Sequence, residues 1–280
     1  MWKQKIGISM SSNYDIPMDE VIKLLKKIGF DAVSPDFTSR ETLREIVKSA
    51  KDTQITVQSL HAPFKQAANL WNNDPNLLEN AKKDILNSLD ACIEFNIPVL
   101  VVHVWKGFDY TFDVKSLNFT ALDEIISYAQ ANNIKIAFEN TEGEEYLFAV
   151  MDHYSNHANV DFCKDSGHKM CYNHSQDLLA KFGEKLTITH LNDNLGISRF
   201  DGETYWTDDL HLLPYDGIAD WDYNITRLKK SNQLSILNFE LSMNSKPNRH
   251  ENDVYTNMTL ENYFTEAYKR ACKIAYKYSK

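Results

Sequence analysis

Ile134-Lys135-Ile136-Ala137-Phe138-Glu139-Asn140-Thr141 is a short aliphatic and aromatic run that stops on a carboxylate, an amide and a hydroxyl. It is too short for a helix of ordinary length. With little polar alternation, it reads as a strand buried on both faces, the pattern of a parallel sheet. The abrupt polar ending is the second signal, because it places chemistry at the strand's C-terminal tip.

Both signals repeat outward along the chain. Apolar runs precede it at Lys5–Ser9, Ala32–Ser34, Ile55–Leu60 and Val99–His103, and follow it at Val160–Lys164, Leu186–His190 and Ile236–Leu241. Apolar residues at helical spacing fill the gaps: Met18–Ile28, which stops at Gly29, then Arg40–Lys51, Leu77–Phe95, Ser116–Asn132, Ser175–Phe182, Trp221–Lys230 and Leu260–Tyr278, with a weaker pattern over Glu142–Tyr154. Strands alternating with helices predict a parallel sheet. Eight such units in 280 residues, roughly 35 each, predict an α/β fold closed into a (β/α)8 TIM barrel, one domain spanning residues 1–280. No Gly-x-Gly-x-x-Gly loop follows an early strand, which counts against a dinucleotide fold.

The tips carry metal-competent side chains. The third run leads into His61-Ala62-Pro63-Phe64, the fourth ends on His103, the fifth on Glu139 and Asn140, the sixth on Asp165-Ser166-Gly167-His168, the seventh on His190, and the eighth on Glu240. A loop after the seventh adds Asp209 and His211. In a parallel barrel these tips converge on one face, where active sites sit. Of nine histidines, five lie at or beside strand ends, whereas His153, His157, His174 and His250 fall in helices or loops and read as solvated. Carboxylates crowded at one mouth repel unless a cation lies between them. A mixed imidazole and carboxylate set suits zinc, manganese, iron or cobalt better than calcium, which takes oxygen ligands alone.

Bulk properties narrow the partners. The net charge of -9 opposes a polyanion, so nucleic acid is an unfavoured partner. No apolar stretch approaches the roughly 18 residues of a membrane span, and the N-terminus runs straight toward a strand, so a cytoplasmic protein is expected. Cys92, Cys163, Cys171 and Cys272 form no Cys-x-x-Cys pair and read as reduced structural thiols.

With these residues in place, the chain resembles the xylose-isomerase-like superfamily of barrels, which includes sugar phosphate isomerases, epimerases and apurinic endonucleases of the type IV class. Asp165-x-x-His168 is similar to its Asp-Thr-Gly-His motif. Asp209-Leu210-His211-Leu212-Leu213-Pro214, with Gly217 and Asp220-Trp221, is similar to its Asp-x-His-x-x-Pro-Gly-x-Gly-x-x-Asp-Trp loop, although Tyr215 replaces the first glycine and puts the backbone there in doubt. The resemblance implies a divalent metal (zinc, manganese, cobalt or magnesium) on Glu139, Asp165, His190 and Glu240. The type IV endonucleases hold three zinc ions with nine ligands, and all nine have counterparts in order: His61, His103, Glu139, Asp165, His168, His190, Asp209, His211 and Glu240. One to three ions are therefore expected.

The resemblance implies two functions. The first is a sugar or sugar phosphate isomerase or epimerase, with Glu139 and Glu240 flanking the sugar as acid and base and His168 as a further catalytic or anchoring residue. The Arg-Gly segment expected of ketose 3-epimerases is missing after the seventh run, which counts against that subgroup. The second is metal-dependent phosphoester hydrolysis, which the ligand set favours and the charge opposes; the Trp105-Lys106 and Ser198-Arg199 neighbourhoods are the basic candidates. Phe64, Trp105 and Asn140 are candidate substrate contacts, with Trp71, Tyr205 and Trp206 as further members of an apolar wall, and Trp221 is expected to anchor its own turn. A small-molecule sugar is the expected partner, and homo-oligomers among such barrels make self-association an expectation.

Overall fold

The computed structural model describes residues 4–11, 14–173, 176–199 and 201–280. Its strands are β1 Lys5–Met10, β2 Ala32–Pro35, β3 Thr56–Val57, β4 Leu60–His61, β5 Val99–His103, β6 Lys135–Glu139, β7 Val160–Asp165, β8 Leu186–His190 and β9 Ile236–Phe239. The helices are α1 Met18–Ile28, α2 Arg40–Thr53, α3 Pro75–Phe95, α4 Thr120–Ala131, α5 Glu144–His153, α6 Ser166–Cys171, α7 Leu178–Phe182, α8 Trp221–Lys229, α9 Asp253–Thr256 and α10 Leu260–Tyr278.

Every strand pair is parallel, in two arcs ordered β3-β2-β1-β9 and β4-β5-β6-β7-β8. Parallel bridges between Asp36 and His61 and between Leu191 and Phe239 join the arcs into a (β/α)8 barrel. The third apolar run splits into β3 and β4, a departure from the single strand expected. Gln58 N donates to Val33 O while Ser59 Oγ bonds Ser34 Oγ, so the chain steps from one arc to the other at residues 58–59. The helix expected from Ser116 begins at Thr120, after a separate 3-10 turn at Val114–Ser116. The helix expected from Ser175 begins at Leu178, where Asp177 accepts from Ala180 N; Ser175 itself, like His174, lies outside the described residues.

Pleat and register decide what faces inward. Val99, Val101, Ala137, Cys163 and Ile188 form a small apolar cluster inside the barrel, separate from the large core between strands and helices. Side chains alternate faces along a strand, so the residue two places on points the same way. Two places beyond Val101, Ala137, Cys163 and Ile188 stand His103, Glu139, Asp165 and His190. The register pairs His103 with Glu139 and Asp165 with His190, placing the polar layer directly above the apolar one.

Candidate metal centre

All nine sequence-predicted ligands converge at the C-terminal mouth. They form three groups, in each of which the ligand atoms lie within 4.8 Å of one another: His61, His103 and Glu139; Glu139, Asp165, His190 and Glu240; and His168, Asp209 and His211. Glu139 belongs to the first two and sits between them. A further group, Glu139, Cys163 and His190, meets the same distance criterion, but burial pushes the Cys163 thiol up to about 12, which leaves it a neutral, poor ligand.

Glu139 is enclosed. Its Oε1 lies 2.9 Å from His190 Nδ1, and its Oε2 lies 3.1 Å from His61 Nε2 and 3.2 Å from His103 Nε2. Burial alone would raise its pKa, but the charge of His190 and the bonds from His103, His168 and His190 outweigh that and hold the carboxyl well below the usual range. Glu240 is different. His190 Nδ1 lies 2.8 Å from its Oε2, yet the Glu240 side chain is 25% exposed where that of Glu139 is 1% exposed. Glu240 also lines a cavity of about 540 Å³ together with His211 and Asp36. The symmetric pair of carboxylates expected to flank a substrate is therefore corrected. Only Glu240 reaches open space, because both Glu139 oxygens already face histidines.

Supporting side chains fix the ligands. Asp165 Oδ1 accepts from His168 N at 2.6 Å, which caps α6, and Oδ2 accepts from Asn192 Nδ2 at 2.8 Å. A Cβ on Gly167 would lie 2.0 Å from Asn192 Oδ1, so only glycine lets Asn192 reach Asp165. His61 Nδ1 lies 2.8 Å from Ala62 O, and His168 Nδ1 lies 2.9 Å from Asn140 O; a proton donated there turns each Nε2 toward the mouth. His211 Nε2 lies 2.8 Å from Asp209 Oδ2. Burial pushes His168 and His211 down, but nearby carboxylates reverse this, Asp165 and Asp209 holding His168 well above the imidazole range and Asp209 lifting His211 to about 9.

The loop after β8 is held by Asp193. Its Oδ1 accepts from Ala219 N at 2.9 Å, and its Oδ2 accepts from Tyr215 N at 2.8 Å and Trp221 Nε1 at 2.9 Å. Trp221 thus anchors its turn, as expected. Tyr215 takes φ 76, the left-handed conformation that a glycine would adopt freely. A Cβ on Gly217 would lie 2.3 Å from Asn194 O.

The residues fit a divalent ion. Four buried or half-buried carboxylates (Glu139, Asp165, Asp209, Glu240) meet five imidazoles, with Lys246 Nζ 3.5 Å from Asp209 Oδ2 at the edge of the third group. The buried Asp209 Oδ1 and His103 Nδ1 have no hydrogen-bond partner. Unsatisfied buried acceptors facing neutral-capable imidazoles are what a cation completes.

Three expected substrate contacts fare unequally. Phe64 is half-buried and stacks on His103, with ring centroids 4.7 Å apart, so it stands beside the first group. Trp105 is corrected: its ring is fully buried, lies flat on Tyr146 at 3.9 Å, and donates Nε1–H to Gly107 O, so it faces the core. Asn140 is corrected too. It is fully buried, with Oδ1 accepting from Asp165 N and Nδ2 donating to Asp165 O and Asn173 Oδ1, so it positions β7. Trp71 is likewise buried, donating to Val104 O, whereas Tyr205 and Trp206 are exposed. The basic candidate Lys106 lies 3.3 Å from Glu142 and Arg199 pairs with Asp201. Asp36 and Asn192 are the residues that sequence reasoning passed over. Both follow strands, in Ser34-Pro35-Asp36 and His190-Leu191-Asn192, and that position was the available signal.

A family model described as xylose isomerase-like TIM barrel matches residues 22–256. The chain is 29% identical over 169 residues to a protein of Sinorhizobium fredii named uncharacterized protein y4fM, covering 56% of this chain and 51% of that one, so it spans about half the length of this relative. D-psicose 3-epimerase from Clostridium cellulolyticum H10, solved with D-tagatose, superposes with a TM-score of 0.72 at 16% identity over 98% of this chain and 99% of its own. The IOLI protein, solved with a zinc atom, gives 0.71 at 20% identity over 97% and 98%. 3-keto-D-glucoside 4-epimerase from E. coli gives 0.69 at 14% identity over 96% and 100%. At such identities these structures share the fold. Among the described residues no helix is long and apolar enough to cross a membrane.

Proposed function

The chain belongs to the xylose isomerase-like TIM barrel family, and on that premise we propose that it is a divalent-metal-dependent sugar isomerase or epimerase. The observation that carries this reading is the group Glu139, Asp165, His190 and Glu240 at the tips of four strands, with Glu240 alone of the four opening onto a cavity of about 540 Å³. The sugar chemistry of the structural relatives, two of them named epimerases, supports it.

Glu139, Asp165, His190 and Glu240 would hold the ion, with Asn192 and Asn140 fixing Asp165. Once bound to these residues, a divalent ion would supply Lewis-acid polarisation of a sugar carbonyl and the adjacent hydroxyl, which would make the neighbouring C–H more acidic. Glu240, the partly exposed carboxylate, takes that proton and returns it to the neighbouring carbon in isomerisation, while the hydroxyl proton passes to the former carbonyl oxygen. Glu139 holds its place among four histidines. His168, whose Nδ1 lies 3.4 Å from Glu139 Oε1, would serve with Asp209 and His211 as a further ligand group. Phe64 covers His103 and limits water there.

The test is solvent deuterium incorporation into a panel of ketoses and aldoses by protein loaded with manganese, cobalt or zinc. Exchange that disappears in Glu240→Gln supports the reading. Exchange that survives in this variant removes Glu240 from the proton transfer.

One observation favours a second reading, phosphoester hydrolysis. The nine candidate ligands fall into three groups, two of which share Glu139, enough for more than one ion. Cleavage of abasic-site DNA or of a simple phosphodiester by zinc-loaded protein would establish it, and no cleavage at stoichiometric enzyme would remove it.

A further inference from the structure

Glu240 opens onto the cavity from one side, and the rest of its lining has a definite chemistry. Acidic side chains (Asp15, Asp36 and Glu240) alternate with aromatic ones (Tyr14, Tyr263 and Phe264). Among the described residues that line it, none is lysine or arginine, and His211 is already paired with Asp209, its Nε2 2.8 Å from Asp209 Oδ2. Asp36 is fixed by its backbone, its N–H donating to Met10 O at 3.1 Å, while Phe37 N donates to His61 O at 2.9 Å. Tyr14 meets Phe264 edge to face at 5.9 Å. Tyr263 is 2% exposed, and its buried hydroxyl has no hydrogen-bond partner.

Carboxylates and aromatic rings in one wall are the chemistry of sugar recognition. A carboxylate accepts from hydroxyls, and an aromatic face covers the C–H face of a ring. A phosphate dianion needs the opposite: a cation, or free N–H groups. Lys246 lies 3.5 Å from Asp209 and is not part of the lining. The N-terminus of α10, which reaches the cavity, is capped by Thr259 Oγ1 and carries Glu261 in its first turn. Three carboxylates in a lining without lysine or arginine oppose the binding of a further negative charge.

We propose that this cavity takes the unphosphorylated, polyhydroxylated end of a free sugar or polyol, with Asp36 accepting its hydroxyls and the idle Tyr263 hydroxyl meeting one of them, and that it rejects terminal phosphate esters. The inference rests on the reading that the substrate is a sugar seated at Glu240.

The test is calorimetric titration of manganese-loaded protein with free ketohexoses and ketopentoses and with their terminal phosphate esters. At least one free sugar should bind about tenfold or more tightly than its own phosphate ester, or about 1.4 kcal/mol. Asp36→Lys should reverse that ratio. Asp36→Asn, which keeps the volume and guards against a folding defect, should lower it. Tyr263→Phe should weaken the free sugar alone. Phosphate esters binding as tightly as the free sugars, no free sugar binding at all, or a ratio unmoved in both Asp36 variants would overturn the proposal. Deuterium incorporation, measured on the same pairs, separates the two claims. Preferential free-sugar binding without exchange keeps this inference and defeats the isomerase reading. Exchange into bound phosphate esters that bind better than free sugars keeps the isomerase reading and defeats this inference.

Discussion

Two layers of the same four strands, one pleat apart, behave as different materials. Val101, Ala137, Cys163 and Ile188 fill the barrel with apolar volume, and burial keeps the Cys163 thiol neutral. His103, Glu139, Asp165 and His190, directly above, are equally buried yet carry charge and open acceptor positions. The lower layer is stable because close packing and burial of apolar surface favour it. The upper layer would be expensive to bury without a cation, since unpaired buried charge destabilises. Two residues of strand thus separate the part that makes the fold from the part proposed to make the function, and substitutions should sort accordingly.

The largest effect is expected at Glu139, which joins two of the three ligand groups. Glu139→Gln should keep the fold and lose activity by about 10³-fold or more, because a ligand shared by two groups is lost. Circular dichroism, metal analysis and turnover would check it, and an active, metal-replete variant would break the contrast between the layers. Glu240→Gln should lose activity by about 10²–10⁴-fold while retaining more metal than Glu139→Gln. In the lower layer, Ile188→Ala should destabilise by about 2–5 kcal/mol with metal stoichiometry unchanged. Urea unfolding paired with metal analysis reads both. Asn192→Ala, which frees one Asp165 oxygen, should weaken metal affinity by about 10–100-fold without altering stoichiometry at saturation.

Protonation sharpens the contrast further. Without metal, nearby carboxylates hold His168 well above the imidazole range and His211 at about 9, against the opposing pull of burial. Both rings are protonated at neutral pH in that state, and ligation requires the neutral ring. Ion binding must therefore release protons, so affinity rises with pH toward about 9 and falls as pH drops. Calorimetric titrations of metal in buffers of different ionisation enthalpy count the protons released. No release at pH 7 would contradict the assignment of the third group.

Much of this was legible in the sequence because it depends on local pattern. Apolar runs ending on His103, Glu139, Asp165 and His190 announce both strand and tip, and a parallel barrel brings the tips together whatever separates them in the chain. What was not legible depends on contacts between distant segments. The break between β3 and β4 is set by Val33 and Ser34 on a neighbouring strand. Trp105 follows a strand tip as His61 and His168 do, but Tyr146, contributed by α5, captures its ring in the core. Asn140 looked available until β7 engaged both ends of its amide. Asp36 and Tyr263, which are 227 positions apart, share a cavity that no local pattern announces. The unequal exposure of Glu139 and Glu240 is likewise a property of packed neighbours.

Metal analysis of the purified protein alongside Glu139→Gln tests the central claim most directly. The wild-type chain should carry between one and three divalent ions, and the variant should lose occupancy while its far-ultraviolet spectrum and melting cooperativity persist. A wild-type protein that binds no divalent ion under saturating zinc, manganese or cobalt, or a variant with undiminished metal content, would contradict the account.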